Sequence, residues 1–157
     1  MIVRSKAAGD GDALAAIWTE RYDAPTVAAR DILHKLLDLP GFVAMNGDAL
    51  MGALTFAQVE DEIEVVTLDS LRENAGIGTA LLDAAVALAR AERAFRLCLV
   101  TTNDNFRAPR FYQRRGWAMS GFYRDSVMSA RRIKPQIPTT GTDGIPILHE
   151  IEFEFRL

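Results

Sequence analysis

The chain contains very little cysteine and histidine, which limits the chemistry that its side chains can carry. Among its 157 residues there are one cysteine and two histidines. The single thiol, Cys98, can form no internal disulfide and lies in the apolar run FRLCLV. We therefore interpret it as a buried core residue and expect a reducing cytosol as the compartment.

The chain also lacks a long apolar run and an excess of positive charge. No stretch approaches the about 18 apolar residues of a membrane-spanning helix, and the N-terminal MIVRSKAAGDGD has no apolar signal region. The net charge of −3 and the isoelectric point near 5.4 argue against nucleic acid or an anionic membrane as a partner. The overall composition, with 49% hydrophobic and 25% charged residues, is typical of a globular protein. The length fits a single globular domain over residues 1–157.

The hydrophobic pattern predicts strands and helices in alternation. Apolar residues recur at helical spacing in four segments, which are 12–22, 26–38, 78–93 and 108–116. Strand patterns occupy 1–7, 62–69, 95–101, WAMSGFYRDS and HEIEFEFRL, and the Asn46-Gly47-Asp48 turn predicts a hairpin. Residues 127–147 form a long connection that contains proline and glycine, a length more typical of functional loops. The order β-α-α-β-β-β-α-β-α-β-β predicts a mixed sheet with helices on both sides.

The sequence RENAGIGTALL, residues 72–82, places two glycines where an apolar helix begins. The first N–H groups of a helix have no internal partner and the helix dipole favours negative charge there, so a glycine loop suits a phosphate. The motif is not a dinucleotide G-x-G-x-x-G, because position 81 is leucine, and no Gly-Lys-Ser/Thr of a P-loop follows. Alone it is equally well explained as a tight turn with close packing of helix on sheet.

A second motif, NDNFRAPRFYQRRGW, follows the next predicted strand. Together the two resemble the GNAT superfamily of acetyl-CoA-dependent N-acetyltransferases, which carries an R/Q-x-x-G-x-G/A loop and then N-x-x-A-x-x-F-Y-x-x-x-G-F. The residues that match the second pattern are Asn105, Ala108, Phe111, Tyr112, Gly116 and, in the final aromatic place, Trp117. The resemblance covers essentially the whole chain. It implies an α/β (α+β) fold with a mixed, mostly antiparallel sheet, two splayed parallel central strands and helices on both faces.

The resemblance implies that acetyl-CoA lies between the splayed strands, here 62–69 and 95–101. The backbone of Val66, Thr67 and Leu68 would bind the pantetheine arm and the acetyl carbonyl, and Asn105 would contact the pantetheine side. The loop would hold the pyrophosphate; its residues are Glu73, Asn74, Ala75, Gly76, Ile77, Gly78 and Thr79. Tyr112 would protonate or hydrogen-bond the departing thiolate, because a phenol is a donor near neutral pH.

Glu73 departs from the family pattern, which has arginine or glutamine at the entrance of the loop. An ionised carboxylate cannot donate a hydrogen bond to phosphate. We therefore expect its side chain to point away from the phosphates and to cap N–H groups of the loop. Neutralisation of the outer phosphates is then left to Arg72, Arg114 or Arg115.

Two glutamates are candidates for the general base that takes a proton from the acceptor amine. Glu62 and Glu64 share one face of a strand, and Glu62 matches the strand glutamate that is the base in some family members. A solvated acidic edge, with deprotonation through water, is the alternative. His149 is a further candidate, although a structural or surface role explains it and His34 more readily.

The acceptor site is expected between the two predicted N-terminal helices and the segment 127–147. Acidic residues near the cleft would suit a cationic amine, whereas Arg131, Arg132 and Lys134 would suit a carboxylate-bearing or phosphorylated one. The sequence leaves this open.

The sequence thus predicts a cytoplasmic enzyme that transfers an acetyl group directly from acetyl-CoA to a primary amine of a small molecule or protein, without a metal. The alternative is a catalytically silent acyl-CoA-binding sensor or partner domain of the same fold. A plain nucleotide-binding α/β domain would need the missing third glycine or the missing lysine. Neither nucleic acid nor a membrane is expected as a partner, and a homodimer through the C-terminal strands stays open.

Overall fold

The computed structural model describes the whole chain, Met1–Leu157. Its centre is a seven-stranded sheet in the order β1-β4-β5-β6-β7-β9-β8, and β2 and β3 form a separate two-stranded hairpin. The strands are β1 (Ile2–Ser5), β2 (Thr26–Ala29), β3 (Ile32–Lys35), β4 (Gly41–Asn46), β5 (Ala49–Val59), β6 (Glu62–Ser70), β7 (Arg96–Thr102), β8 (Ala118–Tyr123) and β9 (Glu150–Arg156). The α-helices are α1 (Gly11–Tyr22), α2 (Ile77–Ala91), α3 (Arg107–Gln113) and α4 (Ser126–Ile133). No helix is both long and apolar enough to cross a membrane.

The strands β6 and β7 are parallel, and every other strand pair in the sheet is antiparallel. Their ladder runs only from the Glu62–Arg96 pair to the Glu64–Cys98 pair and then stops. The register of β6 against β5 also shifts, so that Thr55 faces Thr67 but the next residue, Phe56, faces Val65. Val66 is the extra residue of this β-bulge, and bulges bend a strand away from its neighbour. The predicted pair of splayed parallel strands is confirmed.

The sheet carries helices on both faces, as predicted. One face packs against α2 and α3, around buried residues that include Leu81, Leu97 and Phe153. The other face packs against α1, where Leu14 and Trp18 meet the side chains of β4 and β5. The two cores lie back to back, since successive residues of a strand point to opposite faces.

The predicted helix over 26–38 is wrong, because these residues form the β2–β3 hairpin. Its turn residues, Arg30 and Asp31, have φ of +51° and +64°, and an α-helix cannot contain them. The apolar residues at helical spacing do not share a buried face: Leu36 is fully buried, whereas Ile32 and Leu33 are exposed. The β-branched Thr26 and Val27 were the signal for a strand.

The long connection 127–147 is more ordered than the sequence indicated. It begins with α4, which packs against the β2–β3 hairpin. Its remainder is attached to Asn103, just after β7, since the Asn103 side-chain amide donates to the Pro146 carbonyl at 2.9 Å. The Asn103 side-chain oxygen also accepts hydrogen bonds from the N–H groups of Leu148 and His149, just beyond the segment, at 2.9 Å each. Asp104 accepts another from the Thr142 N–H at 3.2 Å. The segment is therefore a fixed wall beside the sheet.

Candidate active site

A cleft of about 1020 Å³ opens where β6 and β7 part, between the start of α2 and α3. Among its lining residues are many of those predicted to bind the cofactor, namely Leu68, Glu73, Asn74, Ala75, Gly76, Ile77, Gly78, Thr79, Asn105, Tyr112 and Arg114. Val66 and Thr67 lie outside the lining and belong to the stretch of β6 beyond its ladder with β7. The backbone of that stretch is unpaired on the β7 side, so its hydrogen-bonding groups remain available to a ligand in the gap.

The two glycines of the loop meet different steric demands. Gly76 is the N-cap of α2 and has φ of +75°, a conformation that costs a residue with a Cβ about 1 kcal/mol or more. Gly78 has ordinary φ, but a Cβ there would lie 3.2 Å from the ring of Phe111. Gly76 thus turns the chain into the helix, and Gly78 allows α2 to approach α3 closely.

The lining of the cleft is strongly cationic although the chain as a whole is acidic. Six arginines face it, against one glutamate: Arg21, Arg72, Arg107, Arg110, Arg114 and Arg115 against Glu73. Arg115 is already bound, since it donates to the Thr79 hydroxyl and stacks on Phe111 with 3.6 Å between its guanidinium carbon and the ring centroid. Thr79 therefore has its hydroxyl engaged by protein. A cleft of this charge is suited to the phosphates of a nucleotide cofactor.

Glu73 forms a bidentate ion pair with Arg107 across the mouth of the cleft, with N–O distances of 2.6 and 2.8 Å. Both side chains are well exposed. The pair lowers the pKa of Glu73, chiefly through the hydrogen bond from Arg107. The expected capping of the loop's own N–H groups is wrong, because the carboxylate binds Arg107 and α2 has no side-chain cap.

Tyr112 is buried among aromatic rings and contributes to the lining of the cleft. Its ring packs against Phe111, Trp117 and Phe153 with centroid distances of 5.3, 5.5 and 5.8 Å. Burial raises the pKa of the phenol well above its ordinary value, and the charge of Asp69 raises it further. The hydroxyl therefore keeps its proton throughout the physiological pH range and is available as a donor.

Asp69, near the end of β6, ties α1 to the edge of the cleft and was missed by the sequence reasoning. It is 1% exposed. It accepts hydrogen bonds from Trp18 Nε1 at 2.9 Å and the Tyr22 hydroxyl at 2.7 Å, and a weaker one from Arg21 at 3.3 Å. A carboxylate directly after the mostly apolar run VVTL was the available signal, because a buried charge needs partners.

The two candidate bases lie on the α1 face of the sheet but in different surroundings. Glu62 accepts two hydrogen bonds from Arg96, at 2.9 and 3.2 Å, and this ion pair occupies its carboxylate. Glu64 is 7% exposed and accepts no hydrogen bond, and its nearest cation is Arg30 at 4.0 Å. Burial is the main reason that the pKa of Glu64 is raised, and nearby glutamates add to the effect while Arg30 opposes it. Of the two, Glu64 has the properties of a proton acceptor.

The remaining predicted residues are engaged elsewhere. Asn105 lines the cleft, and its side-chain oxygen accepts the Ala108 N–H of the first turn of α3 at 3.0 Å. His149 Nδ1 accepts the Asp125 N–H at 2.8 Å. His34 is buried in β3. Cys98 is fully buried, as predicted, and burial raises its pKa to about 11.

Two arginines of the cleft were missed by the sequence reasoning although their spacing was informative. Arg107 and Arg110 precede Arg114 by seven and four positions, which places all three on one face of a helical segment. All three line the cleft.

Comparison with known proteins agrees with this geometry. Residues 12–117 match the acetyltransferase (GNAT) family. The uncharacterized protein YxbD of Bacillus subtilis is 35% identical over 141 residues, which cover 89% of each chain. An IAA acetyltransferase from Bacillus cereus has the same fold, with a TM-score of 0.76 at 17% identity over 99% of each chain. A GNAT family acetyltransferase from Elizabethkingia anophelis, solved with acetyl-CoA bound, matches with a TM-score of 0.74 at 17% identity, over 99% of this chain and 97% of that one. The chain belongs to the GNAT family of acetyltransferases.

Proposed function

We propose that the protein transfers an acetyl group from acetyl-CoA directly to a primary amine of a small molecule or protein. The observation that carries this proposal is the parting of β6 and β7 into an arginine-lined cleft that has Tyr112 in its wall. The cleft supplies the cations and helix start that phosphates require, and the unpaired edge of β6 supplies backbone groups for the rest of the cofactor. The groups assigned to phosphate binding are the backbone N–H groups of the loop 73–79 and the side chain of Arg114.

The two faces of the sheet supply the two proton transfers. On the α1 side, Glu64 takes the proton of the acceptor ammonium, because its carboxylate is buried and free of hydrogen bonds. The neutral amine attacks the thioester carbonyl and the C–N bond forms. The nitrogen then loses its second proton to water, and the C–S bond breaks. On the α3 side, Tyr112 donates a proton or a hydrogen bond to the departing thiolate. Glu62 is assigned to holding Arg96 in place.

We propose the cytoplasm as the compartment because the chain has a single cysteine, which can form no internal disulfide.

The first test is release of CoA thiol from acetyl-CoA over a panel of primary amines. An amine-dependent rate supports the enzyme, whereas cofactor binding without turnover of any amine would support the silent acyl-CoA-binding domain. Binding is followed by the melting temperature, which should rise with acetyl-CoA. The absence of a shift at millimolar acetyl-CoA would contradict both.

The Tyr112→Phe variant tests the assigned acid. The ring keeps its aromatic contacts, so the fold and the cofactor-dependent rise in melting temperature should be retained. The rate should fall by roughly 10²–10⁴, the usual contribution of a general acid. A rate within about twofold of the unmodified enzyme would refute the role. Phe95→Tyr, an exposed aromatic change outside the cleft, is the control and should leave the rate unchanged.

A further inference from the structure

A group of buried carboxylates lies on the α1 face of the sheet, at the point where the β6–β7 ladder ends. Glu64 faces Cys98 across the ladder, and Glu150 and Glu152 follow on β9, opposite Thr102 and Val100 of β7. We call Glu64, Glu150 and Glu152 the acidic cluster. Their exposed fractions are 7%, 5% and 3%. Three carboxylates buried beside the gap must each be compensated, because an isolated buried charge is costly.

The carboxylates of the acidic cluster differ in the hydrogen bonds that they accept from the protein. Glu152 accepts hydrogen bonds from Arg96, Ser120 and Tyr123 at 2.9, 2.7 and 2.9 Å. Glu64, in contrast, accepts none and has only the Arg30 guanidinium at 4.0 Å. A nine-tenths buried carboxylate without a hydrogen bond, beside the gap where the acetyl group is proposed to lie, indicates a place for a cationic ligand.

In the structure the cation nearest to Glu64 is Arg30, and its guanidinium makes only long contacts with the acidic cluster. Its guanidinium is 3.7 Å from Glu152 and 4.0 Å from Glu64, distances too long for good hydrogen bonds. Its one side-chain hydrogen bond goes to Cys98 Sγ at 3.6 Å, and a thiol sulfur is a weak acceptor. Its side chain is 33% exposed, against 14% for Arg96, which makes short bonds to three carboxylates. Arg30 is at the tip of the β2–β3 hairpin with φ of +51°, where asparagine, aspartate or glycine would be less strained.

We propose that Arg30 occupies the acceptor subsite as a replaceable cation, and that the acceptor is a diamine, a small amine with a second positive charge. This rests on the proposed acetyl transfer. The reacting ammonium takes the place beside Glu64, the second ammonium is held by Glu150 and Glu152, and the Arg30 side chain moves towards solvent. Arg30 is thus a residue that determines specificity for charge.

The charges nearby disfavour an acceptor with a carboxylate. Such a group would meet the three carboxylates of the acidic cluster. The guanidiniums beside them are those of Arg30 and Arg96, and Arg96 is shared with Glu62 and Glu154, so carboxylates outnumber cations here. The cations of the 127–147 segment do not reverse this balance, because two of them are bound to backbone carbonyls. Arg131 donates to the carbonyls of residues 137, 138 and 147, and Lys134 donates to those of Tyr22 and Thr26.

The test compares three amines of equal length that differ only at the far end: 1,4-diaminobutane, 4-amino-1-butanol and 4-aminobutanoate. We expect the kcat/KM of the diamine to exceed that of the amino alcohol by at least tenfold, with 4-aminobutanoate lowest.

Arg30→Gln should lower the KM for the diamine severalfold with little change in kcat, because it removes the competing cation. Arg30→Lys should keep the original KM, and Glu150→Gln should reduce the ratio between diamine and amino alcohol.

The matched control is Arg93→Gln, an exposed arginine that also has positive φ, +55°, but lies in the turn between α2 and β7. Its selectivity should equal that of the unmodified protein. Equal kcat/KM for the three amines, or a KM for the diamine that Arg30→Gln leaves unchanged, would overturn the inference while acetyl transfer stands.

Calorimetric titration of 1,4-diaminobutane into the CoA-bound protein separates the two proposals. If the protein binds the diamine and the Arg30→Gln variant binds it more tightly, the inference is supported even if no amine is acetylated. No binding and no turnover of the diamine would overturn it.

Discussion

Replacing Glu64 with glutamine should reduce activity and increase stability at the same time. The carboxylate is 7% exposed and accepts no hydrogen bond, so folding removes it from water with only the Arg30 guanidinium, 4.0 Å away, in compensation. An unpaired buried polar group costs about 1–3 kcal/mol, and the attraction of Arg30 offsets part of this. We expect Glu64→Gln to gain about 1 kcal/mol, which corresponds to a rise of about 2–4 °C in melting temperature for a chain of this size.

The stability gained by Glu64→Gln should increase with pH. Burial raises the pKa of Glu64 above its ordinary value of 4.5, so the folded state binds this proton more tightly than the unfolded state. The cost of the carboxylate is therefore fully present above the folded pKa and disappears as the pH falls towards 4.5. The difference in melting temperature between the variant and the unmodified protein should be largest near pH 8 and shrink on acidification.

The same variant should lose roughly 10²-fold or more in kcat/KM, because its amide cannot accept the proton of the amine. Calorimetric melting across the pH range and thiol release with a reactive amine measure the two effects. A variant that is less stable and equally active would refute both the energetic argument and the assignment of the base. Glu92→Gln, an exposed glutamate after α2, is the control and should change neither quantity.

Three further changes have expected outcomes. Asp69→Ala leaves the buried donors of α1 without an acceptor and should cost about 3 kcal/mol in urea unfolding, whereas Asp69→Asn should cost less; equal losses would contradict this account. Gly76→Ala should cost about 1 kcal/mol, because φ is +75° and no steric contact is involved; a gain in stability would be the contrary result. Glu73→Gln should tighten acetyl-CoA binding about two- to fivefold at low salt, since it removes the anion beside the arginines of the cleft. Weaker binding in the calorimeter would show that Glu73 itself serves the cofactor.

The parts of the fold with local signals could be predicted from the sequence. The hairpin at Asn46-Gly47-Asp48, the helix after the glycine loop and the strand of residues 95–101 each have a turn residue or a hydrophobic period of their own. The β2–β3 hairpin was mispredicted because its turn begins with Arg30, a residue type that is uncommon at positive φ.

The proposed cofactor side of the site was accessible to sequence reasoning because its residues lie in two continuous motifs, whereas the proposed acceptor side was not. Glu64 and Glu152 are far apart in the chain and meet only through the register of β6, β7 and β9. Alternation along β9 predicted one buried face of Ile151, Phe153 and Phe155. It did not reveal that Glu150 and Glu152, on the other face of β9, are buried too. The β2–β3 hairpin that lies over them is distant in the sequence, so the alternation within β9 carries no information about it.

The bulge at Val66 connects the two sides of the proposed reaction. Before it, Glu64 points to the α1 face and Val65 to the α2 face; after it, Leu68 packs with the α2 core while Asp69 reaches the α1 side chains. The extra residue also falls just beyond the last pair of the ladder with β7, where the backbone is free to meet a ligand. One inserted residue thus bends β6 away from β7, leaves Glu64 beside the gap and turns Asp69 towards α1.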